Sequence, residues 1–148
     1  MGIGAGLRIR DKNIWTVYAA IFLVGVAYGV YVSLLALHLD ARGFSKPEIG
    51  SFAAWFAGGI SAFSLPAGAL LRRFSAKTLL TASLLGYAAC AFAFPYLTSY
   101  ATIAGARFLD GASSVFVWVS CETVLLRRAE RGQKALVTSL YAMAIAVA

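Results

Sequence analysis

Between Lys77 and Arg107 the chain runs for 29 positions without a charged side chain. Comparable apolar runs cover Ile14–Leu37 and Ile49–Leu71. Stretches of this length are the signature of helices that cross a bilayer, whose ~30 Å hydrocarbon core needs about 20 apolar residues. A helix satisfies its own backbone hydrogen bonds, so it can cross where no water is available. The composition agrees, with 61% hydrophobic and 13% charged residues and a mean hydropathy of +0.79, against roughly half and a quarter in soluble domains. The predicted class is therefore all-α, a polytopic transmembrane helix bundle. Residues 1–13 form a cytoplasmic N-terminal segment and residues 14–148 the bundle.

The first span is predicted over residues 14–38, entered through Trp15 and Tyr18 at the depth that amphipathic aromatics favour. Although Arg8, Arg10 and Lys12 precede it, the run is too long for a signal peptide and lacks a small-residue cleavage site. A polar connection follows, in which Ser45, Pro47 and Glu48 combine a cap, a first-turn proline and an acid near the positive end of the helix dipole. They start a second span over 47–71, closed by Arg72, Arg73 and Lys77.

The 29 uncharged residues are too many for one untilted span and too few for two. A return turn at Pro95–Tyr100 gives spans over 78–96 and 99–126. A turn at Gly105–Gly111 would leave about 15 residues before Arg127, below the usual ~17. The first is adopted, which places Arg107 and Asp110 inside the fourth span. A fifth apolar run, 135–148, is too short to cross and reads as part of a helix, so the chain reads as a fragment. The N-terminus and the second and fourth connections hold ten Lys and Arg, namely Arg8, Arg10, Lys12, Arg72, Arg73, Lys77, Arg127, Arg128, Arg131 and Lys134. The opposite side holds Arg42 and Lys46. Positive charge collects on the cytoplasmic side, so the N-terminus is expected there, in a plasma membrane of the bacterial inner-membrane kind.

An ionisable group at membrane depth costs several kcal/mol unless paired or hydrated, which makes it a functional candidate. Arg107 and Asp110 are the candidates, and at three residues apart they can touch. The face they share continues through Gly111, Ser114, Trp118 and Cys121 and is expected to point into the bundle. They are read as a substrate or proton pathway, against the alternative of mutual neutralisation that locks helices together. Tyr28 and Tyr31, one turn apart on the first span, are assigned to the same pathway. Gly25 and Gly29 form a GxxxG, and Gly58, Gly59, Ser61 and Ser64 a small-residue stripe; both are read as packing devices.

Several chemistries are excluded. Cys90 and Cys121 lie in apolar stretches and His38 is the single histidine, so no metal or other cofactor is expected. Asp110-Gly111-Ala112 is not followed by the aspartates that a metal-binding phosphatidyltransferase motif requires, and no nucleophile elbow is present. No catalysis is expected. The net charge of +7 sits in runs that face lipid head groups, so no nucleic acid is implied.

The order of these pieces resembles the N-terminal half of a major facilitator superfamily transporter. The connection after the second span, Gly68-Ala69-Leu70-Leu71-Arg72-Arg73-Phe74-Ser75-Ala76-Lys77, is similar to the family's Gly-x-Leu-x-Asp-Arg-x-Gly-Arg-Lys. Gly68, Leu70, Arg73 and Lys77 match, while Arg72 replaces the acid. Arg107-Phe108-Leu109-Asp110-Gly111 resembles the fourth-helix Arg-x-x-Gln-Gly, with an acid in place of the amide. The resemblance implies a cytoplasmic gate built on Gly68, Arg73, Lys77 and Glu122, with Glu122 meeting Arg73. It also implies a parent of two six-helix halves, so that membrane lipid, a small-molecule substrate, protons and a C-terminal half are the expected partners. The function expected is secondary active transport of a small solute by alternating access with proton coupling. The alternatives are a small four-helix multidrug exporter acting as a dimer, disfavoured by the lack of an acid in the first span, and a non-transporting scaffold subunit.

Overall fold

The computed structural model describes residues 12–130 and 132–147. Arg8, Arg10 and Arg131 lie outside the described residues, as does all of segment 1–13 but its last two positions. The fold is all-α, with helices α1 (Lys12–Ala41), α2 (Lys46–Arg73), α3 (Ala76–Ala93), α4 (Tyr100–Arg128) and α5 (Lys134–Val147). A single 3-10 turn, Phe94–Tyr96, prolongs α3. Among the described residues, four segments are long and apolar enough to cross a membrane: Ile14–Ala41, Lys46–Arg73, Ala76–Tyr96 and Tyr100–Arg128. At 1.5 Å per residue, the shortest is ~31 Å long and the longest ~43 Å.

Local chemistry sets the helix ends. Helix α1 runs on through Leu39, which is fully buried, and stops where Gly43 takes φ +84°. The Phe44 amide then reaches back to the Leu39 carbonyl at 3.1 Å, the long bond of a Schellman stop, which needs a left-handed residue before it. Ser45 starts α2, its amide and hydroxyl donating to the Glu48 carboxylate at 2.8 and 2.7 Å. Pro47 fits the first turn, where no amide hydrogen is needed. Ser75 and Ser99 cap α3 and α4 by accepting from the amides of Thr78 and Thr102. The chain turns between Phe94 and Ser99, so Arg107 and Asp110 fall well inside α4.

The chain divides into two compact units, Met1–Val30 with Cys121–Ala148, and Tyr31–Ser120. In the first, the Tyr18 hydroxyl donates to the Val137 carbonyl at 2.8 Å, tying α1 to α5. Ile14, Ile21, Leu125 and Val137 are buried there. In the second, Leu35, Leu39, Phe52, Phe94, Ile103 and Ala104 form one apolar cluster. Arg42 donates to the carbonyls of Leu97 and Pro95, bracing the turn between α3 and α4.

Helix α4 is the most enclosed of the four long helices. Half of its most apolar window is buried, against 11 to 17% in the others. Its approach to α2 is set by two glycines. A Cβ on Gly59 would run into the Phe108 carbonyl oxygen, and one on Gly111 into the Phe56 carbonyl oxygen. Each helix thus presents a bare backbone patch to the other's backbone, the arrangement that small residues permit between membrane helices. The rest of the α2 stripe is otherwise employed. A Cβ on Gly58 would stand 3.8 Å from the Phe108 ring, an ordinary contact, Ser61 and Ser64 are exposed, and the Ser64 hydroxyl bonds the Ile60 carbonyl of its own helix.

Candidate functional site

Arg107 and Asp110 lie one turn apart on α4, and Arg107 Nη1 donates to Asp110 Oδ2. They retain 3% and 1% of their accessible surface, so the pair is withdrawn from its surroundings on every side. Its neighbours are aromatic. The guanidinium carbon stands 4.6 Å from the centre of the Phe56 ring on α2 and 5.7 Å from that of Tyr31 on α1. Both distances suit a cation over a π-face, worth about 2 kcal/mol when desolvated. Tyr31 in turn meets Tyr87 and Phe94 edge-on at 6.3 and 6.1 Å. Two atoms of the pair, Arg107 Nε and Asp110 Oδ1, have no hydrogen-bond partner among the described residues. The unit thus pairs two opposite charges and keeps one donor and one acceptor atom that no other described residue engages.

The face predicted to point inward is mostly enclosed: Gly111, Ser114 and Cys121 are buried with the pair, and Trp118 is half-buried. Of the pathway residues named from the sequence, the structure brings Arg107, Asp110 and Tyr31 together. Tyr28 falls in the first unit and is half-buried. Gly68, Arg73 and Lys77 are exposed where α2 gives way to α3. A Cβ on Gly68 would meet nothing within 4 Å, so packing does not demand a glycine there. Glu122 is exposed on α4 and belongs to the first unit.

Sequence reasoning passed over Phe56, the ring nearest to Arg107. No local signal marked it: Gly58 and Gly59 look alike in the sequence, and only the register between α2 and α4, set where Gly59 meets the α4 backbone, brings the residue one turn earlier to Arg107.

The family model described as Major Facilitator Superfamily matches residues 17–148. The chain belongs to that family. No curated protein and no solved structure matches it. This major facilitator chain is therefore an integral membrane protein of a transporter family, and its four long apolar helices are those of a helical membrane bundle. Members of such a family are carriers of small molecules in lipid rather than catalysts. The family match also leaves the small dimeric exporter without support.

Proposed function

We propose that this chain supplies part of the N-terminal half of a secondary active transporter, moving a small solute by alternating access with coupling to protons. It sits in the plasma membrane with its N-terminus in the cytoplasm. The observation that carries the reading is the buried Arg107–Asp110 pair with Arg107 Nε and Asp110 Oδ1 unpartnered. A carboxylate with one oxygen held by a guanidinium and the other open can accept a proton, whereupon the bond to Arg107 weakens and the cation turns to other partners. Proton occupancy at Asp110 thereby changes the charge and hydrogen bonding offered to a solute. Tyr28 and Tyr31 contribute hydroxyls and ring faces to the same pathway. Gly68, Arg73, Lys77 and Glu122 keep the cytoplasmic gating role that the family motif implies, and the connection after α2 is short and basic as a charged latch requires.

The test uses everted membrane vesicles from cells that produce this chain as part of a full-length transporter with its C-terminal half, energised so that a pH-sensitive dye reports an acidic interior. Cationic amphiphiles, sugars and organic acids are added in turn. At least one class should dissipate the gradient with the unaltered protein, and none should do so with D110N present in the membrane at equal level. Solute-driven proton movement at full rate in D110N, or none with any class in the unaltered protein, would overturn the proposal.

A further inference from the structure

A groove of about 500 Å³ runs between α2, α3 and α4, within the second unit. Phe63 and Leu70 line it from α2, Leu79 and Cys90 from α3, and Leu109 and Phe116 from α4. From Leu79 to Cys90 it extends ~16 Å along α3 at 1.5 Å per residue, about the depth of one leaflet of a ~30 Å hydrocarbon core. Spread over that length, its volume gives a mean section of ~30 Å², whereas a helix 10–12 Å across with its side chains needs ~80–110 Å². The groove therefore suits a hydrocarbon chain rather than a helix. The Ser83 hydroxyl on its wall is satisfied within α3 by the Leu79 carbonyl.

One end of the groove is charged. Leu70 and Leu79, which bound it there, flank the connection Arg72-Arg73-Phe74-Ser75-Ala76-Lys77, which carries three cations and no acid. All three cations are exposed, and none has an ion-pair partner among the described residues. The positive end of α3 adds to them, since its first turn also lacks an acid, whereas that of α2 holds Glu48. A strip of unpaired positive charge thus meets an apolar channel one leaflet deep. Basic clusters at the polar ends of membrane helices attract anionic head groups, by about fivefold in affinity per cation. We propose that the groove binds one anionic phospholipid, its phosphate held on the Arg72–Lys77 connection and one acyl chain lying between Phe63, Cys90 and Leu109. This site is separate from the Arg107–Asp110 pair, and its occupancy does not rest on the transport reading above.

The test uses the full-length transporter that contains this chain, in native membranes, with p-benzoylphenylalanine in place of Phe63 or, separately, of Leu109. Leu109 is 57% exposed, so a larger side chain fits there without repacking the bundle. After irradiation, mass spectrometry of the purified protein identifies what each position has captured. Phospholipid adducts are expected at both, with a ratio of anionic to zwitterionic lipid at least about fivefold above that of the membrane extract. Arg72→Gln combined with Lys77→Gln should cut that excess by at least about fivefold. Absence of lipid adducts, adducts that mirror the membrane's own composition, or an excess untouched by the double substitution would overturn the proposal. So would capture of a peptide from the C-terminal half or from a second copy, which would make the groove a face for helix packing. A failure of coupling in the D110N vesicles leaves this capture pattern unchanged, because the readout involves no flux.

Discussion

Replacing Gly59 by alanine sets two effects against each other whose sizes can be estimated separately. Alanine is the better helix former, by about 0.8–1.0 kcal/mol in a helix interior. Against that, the new Cβ would overlap the Phe108 carbonyl oxygen and stand 3.0 Å from the Ala112 nitrogen. Both are backbone atoms of α4 and cannot rotate aside, so the helices must separate. Overpacking of this kind costs about 1–3 kcal/mol, and a backbone obstacle belongs at the upper end, leaving G59A less stable by roughly 2 kcal/mol. Separation would also withdraw Phe56, one turn away, from Arg107. Gly50 supplies the comparison, because it lies on the same helix and a Cβ there meets nothing within 4 Å. G50A should therefore be neutral or more stable by up to ~1 kcal/mol. The assay is thermal unfolding in detergent in a Cys90→Ala background, followed by a thiol-reactive fluorogenic dye that then reports exposure of Cys121, which is 1% exposed in the fold. A G59A protein that unfolds at or above the temperature of G50A would refute the close-packed contact between α2 and α4.

Three further outcomes are expected. Asp110→Ala leaves an unpaired buried cation and should destabilise the protein by about 3–5 kcal/mol, while adding Arg107→Leu should restore most of that; the same dye assay measures both. Tyr18→Phe deletes the bond to the Val137 carbonyl and should lower stability by about 1 kcal/mol, seen as earlier release of α5 in hydrogen exchange. Single cysteines at Ser45 and Ser75, both exposed at helix starts, should respectively react with and resist an impermeant maleimide applied to intact cells; the reverse pattern would invert the proposed orientation.

What could be read from sequence is what depends on neighbours along the chain. The start of α2 is encoded in four residues, Ser45 to Glu48, whose hydrogen bonds close on themselves. The contact of Arg107 with Asp110 follows from three-residue spacing on one helix. The turn at Phe94–Ser99 follows from a proline and a helix-length argument. What could not be read depends on the register between helices. Phe56 lies 51 positions from Arg107 in the chain, and nothing local says which of the aromatics on α2 will cover the guanidinium. Likewise Arg42 bonds the carbonyls of Pro95 and Leu97, although by charge alone it is one more exposed cation. The glycines show the same division: 59 and 58 are adjacent and chemically identical, but only 59 meets backbone.

The arrangement of the pair also bears on why it is there. If its purpose were to lock helices together, its two members should sit on different helices, as interhelical polar contacts do. Arg107 and Asp110 instead share α4, so their bond ties no helix to another. The links to α1 and α2 come from the rings of Tyr31 and Phe56 over the guanidinium, and a leucine at 107 could meet those rings without any charge to desolvate. Replacing buried ion pairs by apolar side chains is often neutral or stabilising, so structure alone gives little reason to retain one. The glycine contact at 59 and 111 joins α2 to α4 independently of the pair, so the state of Asp110 acts on the charge beside Tyr31 and Phe56 rather than on that join. The proposed coupling needs a group of this kind, one whose bond joins no two helices, whereas anchoring would need the bond to run between them.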